Sequence, residues 1–321
     1  MINQIYSFIQ KHHLLPDSGT VVLGLSGGPD SIFLLHLLAT LHHEKKIALV
    51  AAHLDHEWRT DSFKDVDFCR HVAARYNVPF VTAKASDVLP SLKKNGSQEE
   101  MGRKLRRTFL ENVAAEYNAQ AIALAHHLQD QEETFFIRLI RGTTLTGLIG
   151  MRPKHGLYIR PLLETNKEDI IHYLDTHQIE YLIDPTNVSE SYLRNRIRLK
   201  VMPELNQADQ RFNQNFLRTL HSLREAEQAL ADLTHRLFVE TTVVRDSIHY
   251  LDLEKFFRHN NYLQKRILVH WLILEQVPFV LTERFLDEVV RFFIQPESKG
   301  HALHEAWSLV KEKGLVSLKK N

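Results

Sequence analysis

The chain has 321 residues, 25% of them charged and 44% hydrophobic, with a formal net charge of +1. This is the make-up of a globular protein of roughly two domains with a sizeable core, and it excludes a strongly basic nucleic-acid-coating protein, so any such contact falls to local patches. The single cysteine, Cys69, excludes a disulfide framework and a cysteine-rich zinc or iron–sulfur site. The start, MINQIYSFIQKHH, lacks the regions of a signal peptide, and no apolar run reaches the ~20 residues of a membrane span, so a cytoplasmic chain with no membrane partner is expected.

In chain order, VVLGLS (21–26) reads as a buried strand leading into a helix over 31–43. IALVAAHLDH (47–56) leads into a helix over 63–76, and VPFVTAKA (78–85) into one over 98–117. QAIALAHH (120–127) precedes a helix over 130–141, and GLYIRPLL (156–163) one over 167–177. The alternation predicts an α/β fold with a doubly wound, mostly parallel sheet, whose ligands sit at the carboxyl ends of the strands. Residues 184–205 read as a loop and short helix loaded with arginine. Beyond them 212–238, 253–275 and 282–294 are helical, and the chain closes on a hairpin turning at KEKG. Two domains are expected, 1–210 and a smaller, mainly helical 211–321.

The junction SGGPDS follows the first strand and opens the first long helix. It is neither a Walker A loop, which needs Lys before Ser/Thr, nor GxGxxG. Gly27 and Gly28 allow left-handed angles and close backbone approach to an anion. Pro29 suits a helix start, and Ser26 and Ser31 bring hydroxyls to the positive end of the helix. Asp30 beside phosphates implies a divalent cation, Mg²⁺, between them. The alternative is a strand-to-helix turn in which Asp30 or Ser31 merely caps.

The loop resembles that of the PP-loop (N-type) ATP pyrophosphatases, S-G-G-x-D-S. The resemblance implies a Rossmann-like sheet, ATP cleaved between its α- and β-phosphates, and ATP contacts from Ser26, Gly27, Gly28, Pro29, Asp30 and Ser31. HLDHEWR (53–59) is similar to the H-x-x-H-x-x-R segment of the tRNA(Ile)-lysidine synthetases within that group. SQEEMGRKLRRTFL (97–110) is similar to their E-x-x-A-R-x-x-R-Y-x-F helix, with Gly102 in place of Ala and Arg107 in place of Tyr. AHHLQDQEETFFIRLIRGTTLTGLIGM (125–151) resembles their longest signature, with Gln129 where Asp is usual. RPLLETNKEDI (160–170) and the arginine-rich 184–205 match in order.

What this implies is adenylation by ATP of the wobble cytidine of an isoleucine tRNA with a CAU anticodon, then attack by the ε-amino group of free lysine. Asp30, Asp130 and Glu133 are implied as catalytic, Asp30 as the Mg²⁺ ligand and His53 as a further ATP contact. Arg103, Arg106, His127, Arg194 and Arg196 are expected on the substrate side, and 211–321 in tRNA recognition. Two bland readings stand beside these. D-x-x-E at 130–133 is also a capping-box-like pattern. The arginines, with Arg198, Lys200, Lys93, Lys94, Lys104 and Arg107, could form only solvated faces, although i, i+2 alternation does not build one helical face. His53, His56, His126 and His127 are read as strand-end hydrogen bonders rather than zinc ligands.

The closest rival is a sulfur-transferring tRNA thiolase, which needs paired cysteines. A non-catalytic nucleotide sensor is the rival of another class. A homodimer is kept open. Many members carry a further C-terminal domain with no match here, so this is either a short member or a piece of a longer chain.

Overall fold

The computed structural model describes residues 1–88, 98–183, 192–246, 248–295 and 299–321. These form two compact units, Met1–His221 and Ser222–Asn321.

The first unit opens with α1 (Ile2–Lys11) and then alternates: β1 (Thr20–Gly24), α2 (Pro29–His43), β2 (Ala48–Asp55), α3 (Phe63–Arg75), β3 (Phe80–Lys84). It continues with α4 (Ala85–Val88), α5 (Gln98–Glu116), β4 (Ala121–Ala123), α6 (Leu128–Arg141) and α7 (Leu145–Leu148). A short pair, β5 (Lys154–His155) and β6 (Tyr158–Ile159), precedes α8 (Lys167–Thr176). Last come α9 (Leu193–Arg196), a π-helical turn (Ile197–Val201) and α10 (Met202–Ala208).

The sheet runs β3-β2-β1-β4-β6-β5, parallel throughout except for β5 against β6. Strand alternation divides its core. Val21, Leu23, Leu49 and Ala51 join the apolar cluster around α2, while Val22, Val50, Ala52 and Ile122 join the one under α5. The chain leaves β1 toward β2 on one side, and β4 takes the other. The carboxyl end of β1 is therefore the switch point where such sheets bind ligands. The strand expected over 156–163 shrinks to Tyr158–Ile159, because Pro161 has no N–H to extend the ladder.

Helix α11 (Phe212–Thr241) carries the chain into the second unit. There follow β7 (Thr242–Arg245), β8 (Ile248–Asp252), α12 (Leu253–Phe256), α13 (Asn261–Leu274), α14 (Glu283–Ile294), β9 (Gly300–His304), β10 (Trp307–Glu312) and β11 (Leu315–Lys320). The expected hairpin is β10–β11, with Glu312 opposite Leu315. It belongs to a five-stranded antiparallel sheet, β7-β8-β11-β10-β9, packed with the helices around Trp271, Phe256, Leu268, Val289 and Leu309. The C-terminal unit is thus helix-rich with a sheet of its own.

Candidate active site

The loop after β1 is organised from within. Gly27 takes φ +85°, and a Cβ there would meet Leu182 Cδ1 at 2.9 Å and Cys69 Sγ at 3.2 Å, so only glycine fits. Gly28, also expected to be left-handed, is extended instead (φ −71°, ψ 165°) as the residue before the helix. Pro29 is the first residue of α2, as expected. Ser31 is buried. Its hydroxyl donates to Gly28 O (3.0 Å) and accepts from Ser26 N (3.2 Å) and Ser26 Oγ (3.1 Å). Ser31 therefore shapes the loop, and Ser26 presents the exposed hydroxyl.

Asp30, in the first turn of α2, is where the motifs meet. Its Oδ2 lies 3.6 Å from His127 Nε2 and 3.6 Å from Lys167 Nζ. His127 Nε2 is also 3.5 Å from Asp130 Oδ2. Asp30 Oδ1 is buried and has no hydrogen-bond partner among the described residues. An orphaned, hard carboxylate oxygen at the edge of a phosphate loop fits a divalent cation of the magnesium class.

The start of α6 supplies the other acids. Asp130 Oδ2 accepts from His127 N (3.0 Å), which ties the residue before α6 back to its third position. Capping thus falls to His127 and Asp130, not to Asp130 and Glu133 as the sequence pattern suggested. Burial alone would raise the Asp130 carboxyl, but His127, His126 and Arg194 outweigh it and hold it at about 2. Glu133 is fully buried. Arg194 Nε donates to its Oε2 (2.7 Å), and Arg198 donates to Oε1 through Nε (2.6 Å) and to Oε2 through Nη2 (3.1 Å). The α9-to-π-turn run makes this geometry: it points Arg194 and Arg198 inward and leaves Arg196 and Lys200 exposed.

Gln129, the departure from the expected Asp, joins two helix starts. Its Nε2 donates to Asn166 Oδ1 (2.7 Å) and its Oε1 accepts from Lys167 N (3.0 Å). Asn166 Oδ1 in turn caps α8 by accepting from Glu168 N (3.1 Å). The sequence reading missed Lys167. Its signals were its place within RPLLETNKEDI (160–170), the segment that matches in order, and its position directly after a capping Asn at the start of the segment 167–177.

A cavity of about 310 Å³ opens beside this cluster at the carboxyl ends of β1, β2 and β4, lined among others by Ser26, Asp30, His53, His56, Trp58 and Arg106. His53 is buried, and burial lowers its pKa. Its Nδ1 lies 2.9 Å from Leu25 O. A second cavity of about 350 Å³ lies between α5 and α6, lined by Arg103, Arg138, Arg141 and Arg194 with Thr134, Ile137, Gly142 and Thr143. The structure thus gathers Asp30, His127, Asp130, Glu133 and Arg194 into one cluster. It gives Arg106 and His53 to the first cavity and Arg103 to the second, and it keeps Arg196 at the surface. Arg107 instead pairs with Glu111 (2.9 Å). Lys93, Lys94 and residues 184–191 of the arginine-rich segment lie outside the described residues.

A glycine turn and an orphaned aspartate at the switch point of a parallel sheet define a nucleotide-phosphate-binding α/β domain. The pattern of the PP-loop domain matches residues 1–205, and the chain belongs to that family. It is similar to the tRNA(Ile)-lysidine synthase of Bacillus cereus, 31% identical over 308 residues, which cover 93% of this chain and 65% of that protein. It is also similar to the enzyme of that name from Clostridium tetani, 33% identical over 225 residues, 70% of this chain and 48% of that one. The chain therefore spans less than two thirds of the length of these relatives. Among solved structures, the U34-tRNA thiolase of Methanococcus maripaludis shares the fold: TM-score 0.59, 19% identity, covering 70% of this chain and 78% of that one. Among the described residues no helix is long and apolar enough to cross a membrane.

Proposed function

We propose that the chain works in the cytoplasm as a ligase on an isoleucine tRNA with a CAU anticodon, converting its wobble cytidine to lysidine with ATP, Mg²⁺ and free lysine. In the first step the cytosine O2 attacks the α-phosphorus of ATP. The new O–P bond forms as the bond to the β-phosphate oxygen breaks, and pyrophosphate leaves with that electron pair. In the second, the lysine ε-nitrogen attacks C2, a C–N bond forms, the C2–O bond breaks and AMP departs, while the ammonium gives up its proton.

The observation that carries this reading is the meeting of Asp30, His127, Asp130 and Lys167 within 3.6 Å contacts beside the nucleotide-sized cavity. The turn at Gly27 and the Ser26 hydroxyl cradle the phosphates, and Lys167 offsets their charge. Asp30 Oδ1 is the atom that would hold Mg²⁺, which when bound neutralises phosphate charge. Asp130, held ionised at about 2, suits the lysine ammonium and is too weak a base to take its proton. His127 Nε2 faces both carboxylates, which only accept, so it carries a proton and orients them, and the lysine proton passes to solvent. Glu133 already bonds two guanidinium groups, so its part is to aim Arg194 and Arg198. The arginine-lined second cavity suits RNA phosphates, and residues 222–321 are assigned to tRNA selection.

Sulfur transfer is disfavoured by Cys69, the sole cysteine, whose thiol burial and then Asp65 push up to about 12. The test is mass spectrometry of the tRNA nucleosides after incubation with ATP, Mg²⁺ and lysine. Lysidine should appear only when all three are present, and unaltered cytidine with undiminished ATP would defeat the proposal.

A further inference from the structure

Helices α2 and α8 bring Asp30 and Lys167 together from their first turns, with Asp30 Oδ2 3.6 Å from Lys167 Nζ. Six residues farther along each helix a second pair meets: His36 Nε2 lies 3.1 Å from the Tyr173 hydroxyl. The other ring nitrogen, His36 Nδ1, lies 3.0 Å from the hydroxyl of Tyr76, the residue that closes α3. The two helices therefore run the same way and in step, and the second contact stands about 9 Å along their axes from the first.

His36 is the one polar ring in the apolar run IFLLHLLATL, and it is half-buried. Burial, and then His177, lower its pKa, so the ring is neutral near pH 7, with one nitrogen that donates and one that accepts. One tyrosine hydroxyl thus gives its hydrogen to His36 while the other receives one. Tyr173 is itself fixed from two sides. Phe33 of α2 meets its ring edge-on (centroids 5.2 Å apart, 81° between planes), and His177 stacks on its face (3.9 Å, 21°). Around this bridge Phe33, Leu37, Ile170 and Leu174 share one apolar cluster. Apolar burial is non-directional, so it holds the helices together without fixing one along the other. Hydrogen bonds weaken steeply with misalignment, so the bridge does fix it. A slide of ~1.5 Å, the rise of one residue, would break the bridge and move Lys167 away from Asp30.

We propose that His36 is a positioning residue for the site: bridged to Tyr76 and Tyr173, it sets α8 along α2 and so holds Lys167 beside Asp30 at the phosphate loop. The proposal rests on the reading of Lys167 as a cation that faces the phosphates of ATP. It is tested by isothermal titration of ATP, and of adenosine, which has no phosphate, into the full chain and its variants. Lys167→Met should bind ATP about tenfold more weakly and adenosine as the parent does. His36→Phe, which keeps a ring and loses both bonds, should weaken ATP about threefold and leave adenosine unchanged. It should have no further effect in the Lys167→Met background, because the two act through one group. Tyr173→Phe should reproduce the loss, and it carries the same cycle if His36→Phe does not fold. His36→Gln, whose amide both donates and accepts, should restore the parent's affinity. An equal loss for ATP and adenosine overturns the inference, as does a His36→Phe effect that adds in full to that of Lys167→Met, or parent-like ATP binding by folded Tyr173→Phe. In each of those cases the reading of Lys167 stands. If Lys167→Met itself binds ATP as the parent does, that reading fails and the inference falls with it.

Discussion

At Gln129 one amide both donates to Asn166 Oδ1 and accepts from Lys167 N. A carboxylate could keep only the second of these bonds, and it would add negative charge to a site that already has Asp30 and Asp130. Gln129→Asp should therefore lower stability by about 1 kcal/mol, the worth of one hydrogen bond, read by thermal unfolding. Asp130 and Glu133 separate at the same scale. Glu133→Gln leaves two guanidinium groups around a fully buried, uncharged partner and should destabilise by about 3–5 kcal/mol with every substrate affected together. Asp130→Asn loses an acceptor partly open to the cluster. It should raise the lysine concentration needed for half-maximal product while pyrophosphate release on tRNA persists. A lowered melting point with an unchanged lysine requirement would assign Asp130 to capping alone.

Helix α6 serves two neighbours from two faces. Asp130 and Glu133 face the candidate site, while Leu128 and Phe135 pack on Phe216 and Leu220 of α11. Glu132 stands on this second stripe at the i+4 position from Leu128, fully buried, with neither oxygen bonded among the described residues. Burial, and then Glu133, push its carboxyl up to about 8. Because the folded value lies above the unfolded one, the native state holds the extra proton between roughly pH 4.5 and 8, and stability falls as pH rises through that window. Glu132→Gln should remove this slope, so its gain in melting temperature over the parent should be larger at pH 8.5 than at pH 5; an equal gain at both would place the carboxyl in an ordinary environment. Nothing in the sequence marked Glu132 as buried, since an acid three residues after Gln129 reads as part of the polar face. The βα alternation was legible because strand and helix periods differ sharply, and the SGGPDS turn because glycine, proline and aspartate each have a local conformational reason to be there. The inward pairing of Arg194 and Arg198 was not: it depends on a helical run with a π turn, and an R-x-R-x-R pattern fixes no face by itself.

On the scale of the chain, the change in pattern after the arginine-rich segment led to an expected division at 210/211, and the described residues form compact units that meet at His221 and Ser222. A long amphipathic helix reads as one element of one domain, whereas α11 begins in the first unit and ends in the second. Strands β7, β8 and β9 were missed for a related reason: each is four or five residues long and half-exposed, too short for alternation to declare itself. The position of the division has a consequence for truncation. A chain ending at 221 keeps Phe212, Phe216 and Leu220 against Leu128 and Phe135, and keeps His221 Nε2 at 2.6 Å from Glu164 Oε1. A chain ending at 210 strips those aromatic and aliphatic groups from the back of α6, a loss of about 2–5 kcal/mol per large buried side chain. The front of that helix carries Asp130 and Glu133, so the damage reaches the site. Residues 1–221 should therefore fold and bind ATP as the full chain does, while residues 1–210 should melt lower and bind ATP more weakly. Affinity for the tRNA should fall in both, because the unit assigned to its selection is gone. Isothermal titration with ATP, beside filter binding of the tRNA, separates these outcomes. A folded 1–221 that has lost ATP, or one that retains full tRNA affinity, would show that the labour is not divided between the two units in this way.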